Sequence, residues 1–387
     1  MISVLTNFDA KKIMDDIVRK SNQPVKRRKK KQSSHLCLKR FFAVPEPLLM
    51  NLENNVYLED EALIIIDRRK LPRTVTPVYC TEAEEVAQAI REMMVQGAGD
   101  IAITAGFGLY LAAIRLEREG KGCNRVQLEK TASLLSATRP TGFHLALLLE
   151  KILEKVGQAG NNQPASAVIL AFLQRALVRQ KAISQDTGRH AETLLVSGDT
   201  ILTHCFAGAA LLYMLQYARE NGKDIKVICT ETRPYLQGAR LTAWSVSELG
   251  MDTRLITDNM AAWCMSRGMI QKVFTAADRI AMDGTVANKV GTLQLAISAR
   301  HYGIPFYILG YGGPDRRTLK GEDIPMEERN AQEVLEFQGI PISGPKVKGF
   351  YPAFDLTPPE LISAVITTAG IEKGSNRKKG AGKKVSR

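Results

Sequence analysis

The stretch of residues 200–231, TILTHCFAGAALLYMLQYARENGKDIKVICTE, indicates the fold of this protein. It begins with a short apolar run at residues 200–204, continues through an amphipathic segment at 209–220, and ends with a second apolar run at 225–229. Apolar runs that alternate with amphipathic segments are typical of β-strands connected by crossover helices. The stretch therefore predicts one strand-helix-strand unit of a parallel sheet.

The same alternation continues towards the C-terminus, where further strands are predicted at residues 252–256, 272–274 and 305–309, with a helix at 288–301. Before residue 197 the pattern is mainly helical. A short strand at 62–66 precedes helices predicted at 81–95, 101–119, 141–156 and 165–187. Thr81 and Glu84 have the spacing of a helix-capping box. The predicted fold class is α/β, with a mainly helical N-terminal domain followed by a doubly wound parallel sheet domain.

The net charge of +13 is concentrated at the two ends of the chain. Six basic residues form the run at 26–31, and seven more lie within 373–387, so the intervening chain is close to neutral. This distribution argues against a basic groove along the folded part. We predict a basic extension at 1–45, a helical domain at 46–190, a catalytic sheet domain at 191–372 and a basic tail at 373–387. The ends are interpreted as solvated tails, with contact to nucleic acid as the alternative.

The sequence predicts a soluble cytoplasmic protein. No run of about 18 apolar residues indicates a membrane span. Residues 1–20 lack the apolar core of a secretory signal, and Asp9, Asp15 and Asp16 are unlike the acid-poor profile of a mitochondrial presequence, so we expect no export signal. The six cysteines form no CxxC pair and show no metal-ligand spacing with histidine, which indicates reduced thiols.

Two residues at the carboxyl ends of predicted strands are candidates for catalysis. Cys205 ends the first strand of the quoted stretch and precedes a helix, a position that can lower the pKa of a thiol. Asp278 follows the predicted strand at 272–274, where a carboxylate can act as a general acid or base. Taken singly, Cys205 is also compatible with a buried small apolar residue, and Asp278 with a cap on the following turn.

Several segments offer groups that bind anions. Phosphate sites use forked Arg side chains, Lys charges and backbone amides near Gly. The candidates are Arg139, Arg233 with Gln237 and Gly238, the pair Asn288 and Lys289, and the loop formed by Gln96, Gly97, Ala98 and Gly99. Each alone is compatible with a solvated surface charge or a common loop. The sequence has neither a Walker loop nor a GxGxxG fingerprint after a strand, so nucleotide binding has no support.

Together these segments resemble the methylthioribose-1-phosphate isomerase family, whose relatives include ribose-1,5-bisphosphate isomerase and exchange subunits of a translation initiation factor. The resemblance covers about residues 47–372. It is carried, in order, by Arg139-Pro140-Thr141, Thr203-His204-Cys205, Glu231-Thr232-Arg233-Pro234, residues 236–242 (LQGARLT), Ala277-Asp278-Arg279-Ile280, residues 286–292 (VANKVGT) and residues 352–360 (PAFDLTPPE).

The resemblance implies a helical N-terminal domain packed on a Rossmann-like domain, a homodimer, a phosphosugar substrate, and no metal or organic cofactor. It also implies that Cys205 and Asp278 are the catalytic residues. The substrate contacts that it implies are Gln96, Gly97, Ala98, Arg139, Gln237, Asn288 and Lys289.

The chain departs from the family pattern at three positions. Gln96 stands where the methylthioribose enzymes typically have Arg, while His144 and Phe206 both stand where the family usually has Asn. Because an Arg supplies a forked, charged donor, its loss from an anion site would reshape phosphate binding. We therefore expect an isomerase of a pentose 1-phosphate. The alternatives are a sister enzyme for 5-deoxyribose 1-phosphate or ribose 1,5-bisphosphate, and a non-catalytic regulatory subunit.

Overall fold

Three short antiparallel strands precede a set of helices in the first half of the chain. The computed structural model describes residues 46–120, 123–139 and 142–374, so the predicted extension, nearly all of the predicted tail, and Pro140 and Thr141 lie outside the described residues. The strands are β1 (Val56–Glu59), β2 (Ala62–Ile66) and β3 (Pro77–Cys80). The helices are α1 (Ala83–Arg91), α2 (Ala98–Arg118), α3 (Arg125–Ser136), α4 (Phe143–Ala159) and α5 (Ala165–Glu192).

The second half alternates strands with helices. Its first elements are β4 (Thr200–Thr203), α6 (Ala209–Glu220), β5 (Lys226–Thr230), a π-helical turn (Gly238–Ala243) that continues into α7 (Trp244–Glu248), β6 (Asp252–Ile256) and α8 (Ala261–Ser266). These are followed by β7 (Lys272–Ala276), β8 (Arg279–Ile280), β9 (Val286–Lys289), α9 (Thr292–His301) and β10 (Phe306–Tyr311). The last are α10 (Gln332–Leu335), β11 (Glu336–Phe337), β12 (Ile340–Pro341), β13 (Phe354–Thr357), β14 (Ala364–Thr367) and β15 (Gly370–Lys373).

The main sheet has seven strands in the order β15-β14-β10-β7-β4-β5-β6. All neighbours are parallel except β14 and β15, which form an antiparallel edge. The predicted doubly wound α/β class is confirmed. Since parallel strands end at the same edge, the loops after β4, β5 and β7 lie together.

The helical half has its own apolar core, to which α2 contributes most. This helix is long and apolar enough to cross a membrane by length and composition, yet 67% of its most apolar window is buried inside the protein. Such burial is typical of a core helix in a globular protein. Helix α5 packs along α6 and connects the helical half with the sheet. The described residues belong to one compact unit, and the predicted domain boundary near residue 190 stays a prediction.

Three local predictions were wrong in detail. Helix α1 begins two residues later and ends four residues earlier than the predicted 81–95, and Glu85, not Glu84, accepts hydrogen bonds from the backbone N–H groups of Thr81 (2.7 Å) and Glu82 (3.1 Å). Helix α3 was missed, although Asn124 and Gln127 form a capping box at its start. Asn288 and Lys289 lie on strand β9 and not on a helix, because β9 pairs with β13.

We expect Gly238→Ala to destabilise the protein by about 3 kcal/mol or more. A Cβ atom at this position would lie 1.9 Å from the carbonyl oxygen of Thr230, so the π-helical turn would have to move away from β5. Thermal and urea unfolding would measure the change. Gly312→Ala is the matched control, because a Cβ there meets nothing within 4 Å, and an equal loss in both variants would contradict the prediction.

Candidate active site

Cys205 lies two residues after the end of β4, in a backbone conformation that is unusual for a residue with a side chain. Its φ is +61°. The backbone N–H of Cys205 donates to Oγ1 of Thr232 (2.9 Å), and Oγ1 of Thr242 donates to the carbonyl oxygen of Cys205 (2.6 Å). Such left-handed geometry costs energy and persists where surrounding contacts hold it. The two threonines therefore fix the direction in which the thiol points.

His204 is buried behind Cys205 and joins three segments. Its Nδ1 lies 2.6 Å from Oγ1 of Thr230, and its Nε2 lies 3.0 Å from the carbonyl oxygen of Val290. Burial lowers the pKa of His204, so the ring is neutral at neutral pH. Its hydrogen bonds connect the ends of β4 and β5 with the loop before α9.

The electrostatic surroundings of Cys205 differ from the expectation of a lowered thiol pKa. Burial raises the pKa of Cys205; the charges of Lys289 and Arg329 and a hydrogen bond from the Phe206 backbone lower it, while Asp278 raises it further. The thiol is therefore neutral at neutral pH. The helix-terminus effect was overestimated because it ignored desolvation, which favours the uncharged form.

Asp278 lies after β7, within electrostatic range of Cys205. The backbone N–H of Asp278 donates to the carbonyl oxygen of Ala287 (2.9 Å), which fixes the residue against β9. Desolvation of the ring lowers the pKa of the nearby His144, although the residue as a whole is exposed to solvent, and the charge of Asp278 opposes this shift. The structure thus brings the two predicted catalytic residues into one site.

Lys289 and Asn288 enter the site from β9. Lys289 is only 5% exposed, and its ammonium group lies 5.7 Å from the ring centre of Tyr351 and 5.1 Å from that of Phe354. Burial and the neighbouring charge of Arg329 lower the pKa of Lys289 to about 8. Asn288 donates its amide to Oγ1 of Thr292 (3.0 Å), which fixes the start of α9.

Arg139 enters the same region from the loop after α3. Its Nη2 lies 3.5 Å from Oε2 of Glu327, and its Nη1 lies 2.7 Å from the sulfur of Met93. Burial lowers the pKa of Arg139, and the charge of Arg329 lowers it further. A guanidinium group remains charged in proteins under all ordinary conditions, so Arg139 carries a positive charge that is largely shielded from solvent.

The loop at Gln96, Gly97 and Ala98 approaches Cys205 through Phe206. Gly97 has a φ of +97°, and a Cβ there would lie 3.8 Å from the Phe206 ring. The buried Gln96 side chain donates to the carbonyl oxygen of Met93 (3.2 Å), while its Oε1 has no hydrogen-bond partner among the described residues. Ala98 begins α2. The side chains of Gln96 and Arg139 thus both contact Met93.

Gln237 immediately precedes the π-helical turn that follows β5. It is 3% exposed, and its Oε1 also lacks a hydrogen-bond partner within the described part of the chain. The next residue, Gly238, packs against Thr230 and Thr232. A buried amide oxygen without a partner costs free energy, so the site has unused acceptors as well as cations.

Sequence reasoning missed the segment that follows β10. Arg329 and Glu327 form an ion pair of 2.9 Å, and the backbone N–H of Arg329 donates to the carbonyl oxygen of Tyr351 (2.9 Å). The only sequence signal was a short charged cluster at residues 327–329. Across residues 46–120, 123–139 and 142–374, no group of His, Cys, Asp and Glu has the arrangement of a metal site.

Comparison with known proteins agrees with this geometry. The sequence model of the Initiation factor 2 subunit family matches residues 94–374. The methylthioribose-1-phosphate isomerase of Thermosipho africanus is 40% identical over 323 residues, which cover 80% of this chain and 92% of that protein.

Two solved structures are similar over most of their length. The 5-methylthioribose 1-phosphate isomerase of Pyrococcus horikoshii OT3 has a TM-score of 0.70 and 34% identity, covering 82% of this chain and 91% of that one. The translation initiation factor eIF-2B subunit delta from A. fulgidus has a TM-score of 0.71 and 33% identity, covering 83% and 96%. The chain therefore belongs to the initiation factor 2 subunit family, together with the methylthioribose-1-phosphate isomerases that its sequence resembles.

Proposed function

We propose that this protein is an aldose-ketose isomerase that converts 5-methylthioribose 1-phosphate, or a 5-substituted analogue, to the ribulose 1-phosphate form. The main support is the common location of Cys205 and Asp278 beside the buried cations Arg139 and Lys289. A thiol and a carboxyl group can move protons, and the cations can bind the phosphate ester.

The proposed substrate contacts surround this pair. Arg139 and Lys289 bind the phosphate, while Gln237 and the loop at Gln96, Gly97 and Ala98 contact the sugar with amide groups and backbone N–H donors. The uncommitted oxygens of Gln96 and Gln237 support this assignment, because a sugar hydroxyl can donate to each of them. Asn288 has a supporting role, since it orients the segment that carries Lys289.

A phosphate on C1 prevents ring opening through a free aldehyde, so the enzyme must open the ring itself. Protonated Asp278 donates a proton to the ring oxygen as the bond from that oxygen to C1 breaks. The Cys205 thiolate removes the proton from C2, which gives an enol between C1 and C2. The proton then returns to C1, and the hydroxyl at C2 loses its proton to Asp278 as the ketone forms. A direct hydride shift from C2 to C1 is the alternative.

This mechanism requires that, before the reaction, Asp278 is protonated and Cys205 is deprotonated. The negative charge of Asp278 raises the pKa of Cys205, so protonation of Asp278 removes that effect and favours the thiolate. The proposed reaction therefore starts from the form in which Asp278 carries the proton and Cys205 is the thiolate.

The proposal also includes a homodimer in the cytoplasm that needs no metal or organic cofactor, with basic tails outside the catalytic part.

The second candidate function is a non-catalytic regulatory subunit. It is favoured by the similarity to the protein that carries the name eIF-2B subunit delta. The presence of both Cys205 and Asp278 favours the enzyme.

A substrate panel tests the proposed activity. We expect the purified protein to convert methylthioribose 1-phosphate to a ketose that NMR would detect. Ribose 1-phosphate, 5-deoxyribose 1-phosphate and ribose 1,5-bisphosphate would be compared as substrates under the same conditions. If the parent protein converts none of these pentose 1-phosphates, the proposed isomerase activity is contradicted and the role of a non-catalytic regulatory subunit is favoured.

Gln96→Arg should change the ratio of catalytic efficiencies between these substrates by about tenfold to a hundredfold, because Arg adds a charged donor. Identical ratios in the folded variant and the parent would show that Gln96 does not set specificity.

Cys205→Ala should lower kcat by about a hundredfold to ten-thousandfold, since Ala cannot transfer a proton. Circular dichroism should show an unchanged fold. Cys264→Ala is the matched control, because Cys264 is a buried thiol on α8, and it should keep the parent kcat. Comparable activity in both variants would exclude Cys205 from the chemistry.

Asp278→Asn should lower the pKa of Cys205, because it removes the negative charge that raises this pKa. The rate of alkylation by iodoacetamide, measured against pH, should therefore rise at lower pH than in the parent. Subtracting the rate of Cys205→Ala corrects for the other thiols. An identical pH profile in parent and variant would show that the two groups do not interact.

A further inference from the structure

Three positive charges lie close together in this site, and one of them, Arg329, has no part in the function proposed above. Their side chains are nearly buried, with 14% of Arg139 and 9% of Arg329 exposed, and Lys289 is 5% exposed as a residue. Buried cations are costly unless they are paired or bind an anion.

Contacts on both sides of Arg329 connect it with the other two cations. Its Nε donates to Oε1 of Glu327 (2.9 Å), and the second oxygen of that carboxylate lies 3.5 Å from Nη2 of Arg139. Its backbone N–H donates to the carbonyl oxygen of Tyr351, and the ring of Tyr351 faces the ammonium group of Lys289 at 5.7 Å. Arg329 is thus held between Arg139 and Lys289.

The remaining side-chain donors of Arg329 and Lys289 have no hydrogen-bond partner in the described part of the chain. Within residues 46–120, 123–139 and 142–374, neither terminal nitrogen of Arg329 has a hydrogen-bond partner, and the same holds for Nζ of Lys289. The buried hydroxyl of Tyr351 also lacks a partner there. Glu327 occupies only the Nε side of Arg329, so the end of the guanidinium fork remains available for a ligand.

The mutual effects of the charges agree with the geometry. After burial itself, the charge of Arg329 is the largest cause that lowers the pKa of both Lys289 and Arg139. Like charges that destabilise one another would be relieved by an anion between them. A phosphate dianion offers three acceptor oxygens, and a guanidinium fork can contact two of them at once.

We propose that Arg329 is a third cationic contact for the phosphate of the substrate, oriented by Glu327 and held between Arg139 and Lys289. This assignment rests on the proposed function, because it identifies a further residue of the same phosphate site. The ligand class is a phosphate monoester dianion. Two other roles make different predictions: a purely structural charge would affect stability alone, and a charge that acts only through Cys205 would change thiol reactivity without changing phosphate affinity.

The test uses the full-length protein and inorganic phosphate as the probe. Isothermal titration calorimetry would give the Kd of phosphate for the parent, Arg329→Met, Arg329→Lys and Arg118→Met. Arg118 is the control, because it is an exposed Arg on α2 that pairs with Glu61. We expect Arg329→Met to weaken phosphate binding by about tenfold to a hundredfold, as for a lost charge-assisted hydrogen bond. Arg329→Lys should fall between Met and the parent, and Arg118→Met should match the parent.

An unchanged phosphate Kd in folded Arg329→Met would overturn the inference, and so would a parent that does not bind phosphate. If Arg329→Met does not fold, Arg329→Lys decides, because it keeps the charge and removes only the fork. Turnover separates this inference from the proposed function. Phosphate binding that depends on Arg329 without turnover would keep the anion contact and reject the isomerase, whereas turnover with a Kd independent of Arg329 would do the reverse.

Discussion

The buried ring of His204 is the interaction on which the rest of the site depends. By bonding to Thr230 and to the carbonyl oxygen of Val290, it holds the carboxyl ends of β4 and β5 against the loop before α9. A neutral ring can serve as donor on one nitrogen and acceptor on the other, which a protonated ring cannot. Since Cys205 is the next residue, the lowered pKa of His204 preserves the orientation of the thiol as well as the packing of the sheet edge.

The sheet could be predicted from sequence because its signals are local. Strand β6 and helix α6 have the predicted bounds, since an apolar run or an amphipathic period is visible within one segment. Strand β9 was not recognised, because its nearby partner β8 is only two residues long and its longer partner β13 lies more than 60 residues away. Cys205 and Asp278 were placed at strand ends correctly, whereas Arg329 lies in a segment with little regular structure and no periodic pattern.

Electrostatic properties were the least predictable part of the site, since burial depends on the whole fold. The position of Cys205 before a helix suggested a reactive thiolate, yet desolvation exceeds the influence of nearby cations and keeps the thiol neutral. The same desolvation lowers the pKa of Lys289 to about 8. In such a site, the free energy of ligand binding can be used to change the protonation of these groups or to relieve strain, so that the reactive state forms only with the ligand bound.

The contact between Arg139 and Glu327 also has a consequence for the order in which the protein is built. These residues are 188 positions apart in the chain, and the ribosome synthesises the loop that carries Glu327 long after the helical half. The helices and the first strands can form while this loop is still absent. A nascent or truncated chain that ends before Glu327 would therefore lack this residue and Arg329, and with them part of the proposed anion site. Contacts of such long sequence separation also form slowly during folding, so phosphate binding should be among the last properties that the protein acquires.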